Sequence, residues 1–246
     1  MKTAIKNSGF NLFSRRIIVN LAPAAKRKEG SIFDLPIAVG VLCANEYIYY
    51  PIDDFVFIGE LSLDGKVNKV NGILPMCIEL AKLGIKKVVL PKENAGEASV
   101  VKGIEIFPVE SLEETIHFLN HNIQISFKDN VDNQDSYIRN EIVDFSEVKG
   151  QRNIKRAIEV AASGSHNILM IGSPGAGKTM IAKRIPTILP DLSFEECLEI
   201  TKIHSVSGYL SEKNPIITTR PFRAPHHTIS PVSLVGGGKY PKPRRN

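Results

Sequence analysis

Short apolar runs, separated by charged or turn-forming residues, divide the first 125 residues of the chain into predicted strands and helices. Runs rich in β-branched and aromatic residues have the length of strands, whereas apolar residues spaced three or four apart predict helices. The predicted strands are residues 15–21, 55–63, 86–91 and 104–109, and the predicted helices are residues 33–44, 73–84 and 111–120.

Two of these helices carry signals at their ends. Gly84 closes the second helix, as glycine commonly does just after a helix. Ser111, followed three residues later by Glu114, has the spacing of a capping box at the start of the third. The mixture of strands and helices predicts an α/β fold.

A polar stretch rich in Asn, Asp and Ser follows at residues 126–142. Because it has few apolar residues to bury, it is predicted to be a linker between two domains. After the linker, residues 151–164 and 178–185 have helical spacing, and residues 167–172 form a short apolar run of strand length. The second domain is therefore predicted to contain a strand, a glycine-rich turn and a helix in that order.

The charge of the chain is unevenly distributed. The net charge is +5, yet residues 143–246 hold 15 Lys and Arg against 8 Asp and Glu, and no acid follows Glu212. This excess favours phosphate as a partner, from a nucleotide or a nucleic acid, and a solvated basic tail is an alternative of equal weight.

Other features of composition exclude several classes of protein. Cys43, Cys77 and Cys197 lie too far apart for a disulfide framework or a paired-cysteine zinc site. The chain has no apolar run of about 18 residues, and no signal segment is recognised at its start. The sequence therefore predicts a cytoplasmic protein without a membrane span.

The sequence GSPGAGKT at residues 172–179 matches the phosphate-binding pattern G-x-x-x-x-G-K-[ST] at every position. Its glycines allow the backbone to wrap around phosphate, and the following helix start adds partial positive charge. Lys178 is predicted to reach the β- and γ-phosphates, and the Thr179 hydroxyl to bind Mg²⁺. The predicted ATP-binding residues of the loop are Gly172, Ser173, Pro174, Gly175, Ala176, Gly177, Lys178 and Thr179.

Hydrolysis of ATP needs an acidic residue at the end of a second apolar strand, where it holds Mg²⁺ and orients water. None of the acids after Thr179 ends such a strand; they are Asp191, Glu195, Glu196, Glu199 and Glu212. The sequence therefore predicts nucleotide binding with incomplete hydrolytic machinery, and we assign no catalytic residue.

The segment RPFRAPHHTIS at residues 220–230 is the second unusual motif. Arg220 and Arg223 have side chains suited to phosphate. His226 and His227 are adjacent and lack a third ligand at metal spacing, which disfavours a metal site. A loop that contacts phosphate or DNA and a purely structural polar loop are equally weighted interpretations.

Together with LVGGG and with VKGQRNIKRAIEVAASGSHNILMIGSPGAGKT, this segment resembles the magnesium-chelatase-type AAA+ ATPases. The branch that it resembles is the ComM (YifB) family, which is linked to competence and DNA recombination. The stretch NSGFNLFSRRIIVNLAPAAKRKEGSIFDLPIAVGVL is similar to the Lon-protease-like domain of that family. The resemblance implies a partial Lon-like (S5-type) α+β domain at 1–125, then the first part of a P-loop AAA+ α/β domain at 143–246.

The resemblance also implies a function. The family is expected to form hexameric, ATP- and Mg²⁺-dependent rings that act on DNA, in branch migration during recombination. Gln151 stands where AAA+ proteins contact adenine. DNA is the implied partner, with Arg220, Arg223, His226 and His227 as candidate contacts, and no membrane is implied.

Protease activity is not expected from the Lon-like part. Lon-type proteases use a serine nucleophile and a lysine base, and the resemblance places Ile32 and Leu74 at those positions. A Ser–Lys pair works because the desolvated lysine takes the serine proton, which neither residue can do. Ser31 is one position away from the nucleophile.

Both ends look cut in comparison with the family pattern. The ending Arg244-Arg245-Asn246 is what a one-base shift before codons for Gly-Glu-Ile-Ser would produce. We therefore expect the middle portion of a frameshifted gene, truncated before the acidic Walker B strand and the arginine finger. The alternatives are a nucleotide-binding or interaction protein without turnover, and a non-functional remnant.

Overall fold

The computed structural model of the chain describes residues 1–13, 16–21, 30–127, 143–211 and 214–225. The chain divides into two compact units, which are Met1–Asp132 with Thr201–Ile216, and Asn133–Ile200 with Ile217–Asn246. Mixed helices and a parallel sheet confirm the α/β class. Most of the predicted linker, residues 128–142, lies outside the described residues.

The secondary structure of the described residues consists of short elements. The strands are β1 (Phe55–Phe57), β2 (Glu60–Leu61), β3 (Val67–Asn68), β4 (Lys87–Pro91) and β5 (Glu105–Val109). The helices are α1 (Lys2–Asn7), α2 (Asp34–Ala44), α3 (Ile73–Lys82), α4 (Ala95–Ser99), α5 (Leu112–Leu119), α6 (Arg152–Ser163), α7 (Lys178–Arg184) and α8 (Phe194–Ser207).

A three-stranded parallel sheet in the order β1-β4-β5 forms the centre of the first unit. The middle strand, β4, has Val88 opposite Val56 on one side and Ile106 on the other. Val88, Val89 and Leu90 are completely buried. A continuous apolar run is typical of a parallel strand covered on both faces, so the predicted buried strand at 86–91 is confirmed.

Helices cover both faces of this sheet because side chains alternate along a strand. Val89 packs into one cluster with α2 and α5, whereas Val88 and Leu90 pack into another with α3 and α4. The predicted helices at 33–44, 73–84 and 111–120 are confirmed within one or two residues at each end. The Ser111 hydroxyl accepts a hydrogen bond of 3.1 Å from the backbone N–H of Glu114, as the capping box predicts.

The predicted strand at 55–63 is broken into β1 and β2 by Ile58 and Gly59. The N–H of Gly59 donates to the carbonyl of Ile32, and its own carbonyl accepts from Leu35, so the chain leaves the parallel sheet here. A Cβ at position 59 would lie 2.9 Å from a methyl of Val67, which only glycine avoids. Beyond the break, β2 pairs with β3 in an antiparallel hairpin.

The prediction of a strand at 15–21 is wrong for the described residues 16–21. They belong to no strand, and Ile18 is 77% exposed. A β-strand requires a neighbour that pairs with its backbone N–H and C=O groups, and the described residues supply none here. Apolar composition alone was therefore not sufficient to predict a strand here.

The second unit contains α6, α7 and a small core formed by Phe145, Val148, Ile158 and Ile181. The helix predicted at 151–164 is confirmed, and α7 gives way to a 3₁₀ turn that contains Pro186. The prediction of a buried strand at 167–172 is wrong, because the segment is in no strand and Leu169 is 83% exposed. No other described segment lies beside it as a strand, so its backbone groups lack the partners that a sheet supplies.

Candidate nucleotide-binding site

The loop at residues 172–179 turns sharply before α7 begins. Gly175 and Gly177 have φ angles of +82° and +81°, a left-handed conformation that glycine adopts without steric penalty. Gly177 is the N-cap residue of α7, so the first N–H groups of the helix point out of its end and have no partner within the helix. The sequence pattern and the backbone conformation agree at these positions.

Lys178 lies at the first position of α7, and its ammonium group folds back over the loop. Nζ donates hydrogen bonds of 2.7 Å to the carbonyl oxygens of Gly172 and Ser173. The Lys178 side chain therefore holds its charge beside the loop backbone. Thr179 is exposed and follows it in the same helical turn.

The loop fits a bound phosphate group in three respects. It contains no acidic side chain that would repel phosphate. Its left-handed glycines allow the sharp turn that a phosphate-binding loop makes, and the partial positive charge at the start of a helix attracts anions. Lys178 supplies a full positive charge, and its two carbonyl bonds can be exchanged for bonds to phosphate oxygens.

The other predicted contacts lie in different surroundings. Gln151 is the N-cap residue of α6, exposed and left-handed with φ +54°. The Arg220 guanidinium donates 2.9 Å to the carbonyl of Pro190 and lies 3.6 Å from a carboxylate oxygen of Glu196. Arg223 is half-buried and has an interaction of its own.

Two of the predicted contacts, His226 and His227, lie outside the described residues. Among the described residues, no group of His, Cys, Asp and Glu side chains has an arrangement suited to a metal ion. None of the helices in the described ranges is long and apolar enough to cross a membrane.

The described acids that follow the loop lie on α8 or shortly before it. Glu196 accepts a hydrogen bond from the backbone of Ser193, which lowers the pKa of its carboxyl group. Together with the Ser193 hydroxyl, which accepts from the N–H of Glu196, this forms a capping box. Asp191 precedes the helix, Glu195 and Glu199 lie within it, and Glu212 is outside the described residues.

Helix α8 and its capping box were not predicted from the sequence. The signal was present, because Ser193 and Glu196 have the same three-residue spacing as Ser111 and Glu114. A buried polar cluster in the first unit, formed by Asn94 and Glu97, was not predicted either. Its residues are far apart in the sequence from those that they contact, so no local pattern indicates it.

The positions compared with a protease active site are apolar or bonded elsewhere. Ile32 packs at the edge of an apolar cluster, and Leu74 is completely buried. The Ser31 hydroxyl donates a hydrogen bond to the carboxylate of Glu60. Among the described residues, the hydrogen-bond partner of this hydroxyl is therefore a carboxylate, and no lysine is bonded to it.

Two family models, described by the same subunit, match the two parts of the chain. Residues 144–245 match the family described as magnesium chelatase, subunit ChlI, and residues 1–94 match the family described as subunit ChlI of Mg-chelatase.

Full-length relatives extend this similarity over nearly the whole chain. Competence protein ComM of Haemophilus influenzae is 37% identical over 99% of this chain and 48% of its own length. The uncharacterized protein YifB of Escherichia coli is 38% identical over 99% of this chain and 47% of its own length. The DNA repair protein RadA of Listeria monocytogenes is 33% identical over 45% of this chain and 24% of its own length.

The chain spans about half the length of ComM and YifB. Residues 172–179 lie within the part of the chain that the first of these family models matches. The chain belongs to the magnesium-chelatase-like family of ComM and YifB.

Proposed function

We propose that the chain binds ATP with Mg²⁺ at residues 172–179. The observation that carries the proposal is the conformation of the loop, with Gly175 and Gly177 left-handed and the Lys178 ammonium held over the loop carbonyls. Triphosphate bound here offers Lys178 charged oxygens in place of neutral carbonyls, and charge-assisted hydrogen bonds are the stronger ones. The Thr179 hydroxyl and Gln151 are the proposed contacts for Mg²⁺ and for adenine.

We assign binding rather than hydrolysis to this part of the protein. The acids on α8 either cap this helix or lie within it. No described strand beside the loop ends in an acid. Bound Mg²⁺ would screen the phosphate charge, and the residues described here hold and orient the nucleotide. Weak or no turnover is therefore the expected behaviour of the isolated chain.

We further propose that the chain acts on DNA as part of an ATP-dependent motor. Two observations support this: one relative is a competence protein and another is a DNA repair protein. The excess of Lys and Arg after residue 142 suits phosphate contacts, with Arg220, Arg223, His226 and His227 as candidates. A hexameric ring and a Lon-like fold of the first unit are part of the same proposal.

A fluorescent ATP analogue in the presence of Mg²⁺ tests nucleotide binding. The variant Lys178→Ala should bind about tenfold to a hundredfold more weakly, because it loses charged hydrogen bonds to phosphate. Lys183→Ala is the matched control, since Lys183 lies on the same helix and is exposed. Equal affinities for Lys178→Ala and the unmodified chain would contradict the proposal.

A further inference from the structure

A polar cluster is buried in the first unit, where an ionisable side chain is costly unless it is hydrogen-bonded. Asn94 is completely buried and Glu97 is 5% exposed. The Glu97 carboxylate accepts hydrogen bonds from the backbone N–H of Leu74, at 2.8 Å, and from the hydroxyl of Ser205. It also accepts from the Asn94 amide at 3.3 Å. Both of its oxygens are therefore occupied by specific partners.

Asn94 has a fixed orientation within this cluster. Its amide oxygen accepts from the N–H of Val70 at 3.0 Å, and its NH₂ group donates to the carbonyl of Val70 at 2.9 Å. A flipped amide would place donor against donor and acceptor against acceptor. The NH₂ group of Asn94 is therefore directed at the Glu97 carboxylate, which can only accept from it.

The partner of Glu97 comes from Thr201–Ile216, a segment of the first unit that follows α7 in the sequence. Thr201 and Ser205 are buried on the second half of α8, although helical serine and threonine are usually exposed. The Ser205 carbonyl accepts from the N–H of Gly72 at 3.1 Å. The Lys69 ammonium donates to the carbonyl of Leu210 at 2.7 Å.

These contacts meet at the first turn of α3. The N–H of Gly72 is bonded to Ser205 and that of Leu74 to Glu97. This is the turn at which the resemblance to Lon-type proteases places the lysine base, at Leu74. Ser205 therefore bonds to the N–H of Gly72 and shares the Glu97 carboxylate with the N–H of Leu74, whose side chain is completely buried.

We propose that the first turn of α3, together with Glu97, is a docking site for the described residues 201–211. Ser205 is the anchor, because both its hydroxyl and its carbonyl are bonded to the site. The first unit then serves as a platform that binds an element from the sequence after the P-loop, at the position a protease would use for its base. The proposal does not depend on ATP binding.

A disulfide cross-link tests the docked position in the full chain. Gly208 approaches Asn71 so closely that a Cβ at 208 would lie 3.1 Å from the Asn71 Cγ, close to where the sulfur of an Asn71→Cys variant would lie. Oxidation of the double variant Asn71→Cys, Gly208→Cys should therefore link the two positions, as non-reducing peptide mapping would show. The exposed Cys43 is replaced by serine in every variant to prevent mispairing.

The matched control pairs Asn71→Cys with Gly84→Cys. Gly84 lies past the far end of α3, a helix of 10 residues. Such a helix is about 15 Å long, which exceeds the roughly 7 Å between Cα atoms that a disulfide tolerates. The control should remain reduced. A folded Asn71→Cys, Gly208→Cys chain that forms no 71–208 disulfide would overturn the proposal.

Hydrogen exchange measured by mass spectrometry tests the anchor itself. Ser205→Ala should accelerate amide exchange across 201–211 by about tenfold or more, because it removes a buried hydrogen bond to a charged group. Ser207→Ala is the control, since the Ser207 hydroxyl donates to the carbonyl of Ile203 within the same helix. It should leave the exchange unchanged. Equal acceleration by the two variants would contradict the role of Ser205.

The acceptor is tested in the same way. Glu97→Gln should accelerate exchange of 201–211, because its NH₂ group would face the NH₂ group of Asn94. Glu93→Gln, at an exposed position four residues earlier, should have no effect. If a variant unfolds as a whole, the cross-link still decides the matter, because it leaves Ser205 and Glu97 intact.

Discussion

At the scale of single residues, burial changes the chemistry of identical side chains. Cys77 lies on the inner face of α3 and is completely buried, whereas Cys43 is exposed near the end of α2. Burial, together with the nearby charge of Glu97, raises the pKa of the Cys77 thiol to about 12. Because the thiolate is the reactive form of cysteine, these two thiols should differ sharply in reactivity.

Iodoacetamide at pH 8 should label Cys43 and leave Cys77 unmodified in the native chain, as peptide mass spectrometry would show. The stabilisation that accompanies the raised pKa of Cys77 is present below pH 9 and is lost as the pH rises towards 12. In concentrated urea, where burial is lost, all three cysteines should react. Native labelling of Cys77 at the rate of Cys43 would contradict its buried position.

Some features of the loop at residues 172–179 could be predicted from the residue types alone. The residue types at Gly175, Gly177 and Lys178 predicted the loop, and its backbone has the left-handed glycines that such a turn requires. The hydrogen-bond partners of Lys178 could not be predicted from the residue types. Its ammonium bonds to two loop carbonyls, an arrangement that depends on the conformation of the loop.

At the scale of elements, helices follow local sequence and strands do not. Helix hydrogen bonds link residues four apart, so caps such as Ser111 and Ser193 act within one segment. Strand hydrogen bonds need a second segment. The apolar runs at 86–91 and 167–172 have similar composition, yet only the first has neighbours and forms a strand.

Removal of the cap of α5 has a defined expected effect. Ser111→Ala should lower the free energy of unfolding by about 1 kcal/mol, because the N–H of Glu114 loses its acceptor. Urea denaturation measures this as a lower midpoint with an unchanged slope. Ser111→Asn, which keeps a neutral capping oxygen, should restore most of the stability. An unchanged free energy of unfolding for Ser111→Ala would contradict a stabilising role of the cap.

At the scale of the whole molecule, the proposed function is based on the distribution of charge and on the longer relatives that the chain matches. The excess of basic residues lies entirely after residue 142. ComM and YifB, which the chain matches, are about twice as long as the chain. Two units with separate cores hold these features, one around a parallel sheet and one around α6 and α7. The proposed binding to DNA concerns the entire chain. Because it depends on charge, its sensitivity to salt can be measured.

Binding to a fluorescently labelled DNA duplex should weaken steeply between 50 and 200 mM salt, roughly as expected when several phosphates are neutralised. Arg223→Ala should weaken binding and reduce the slope of log affinity against log salt concentration by about one. Lys82→Ala is the control, because Lys82 is exposed and pairs with Glu79 in the acidic half of the chain. Binding that is insensitive to salt would count against phosphate contacts.

Local sequence was sufficient to predict the glycine-rich turn at residues 172–179 and the helices with clear ends, because each depends on residues close together in the chain. The tertiary structure alone decided which apolar runs became strands, since their hydrogen bonds come from distant segments. It also brought Glu97 to Ser205, 108 residues away in the sequence. No periodicity or motif relates residues at that distance, because only the folded backbone places them side by side.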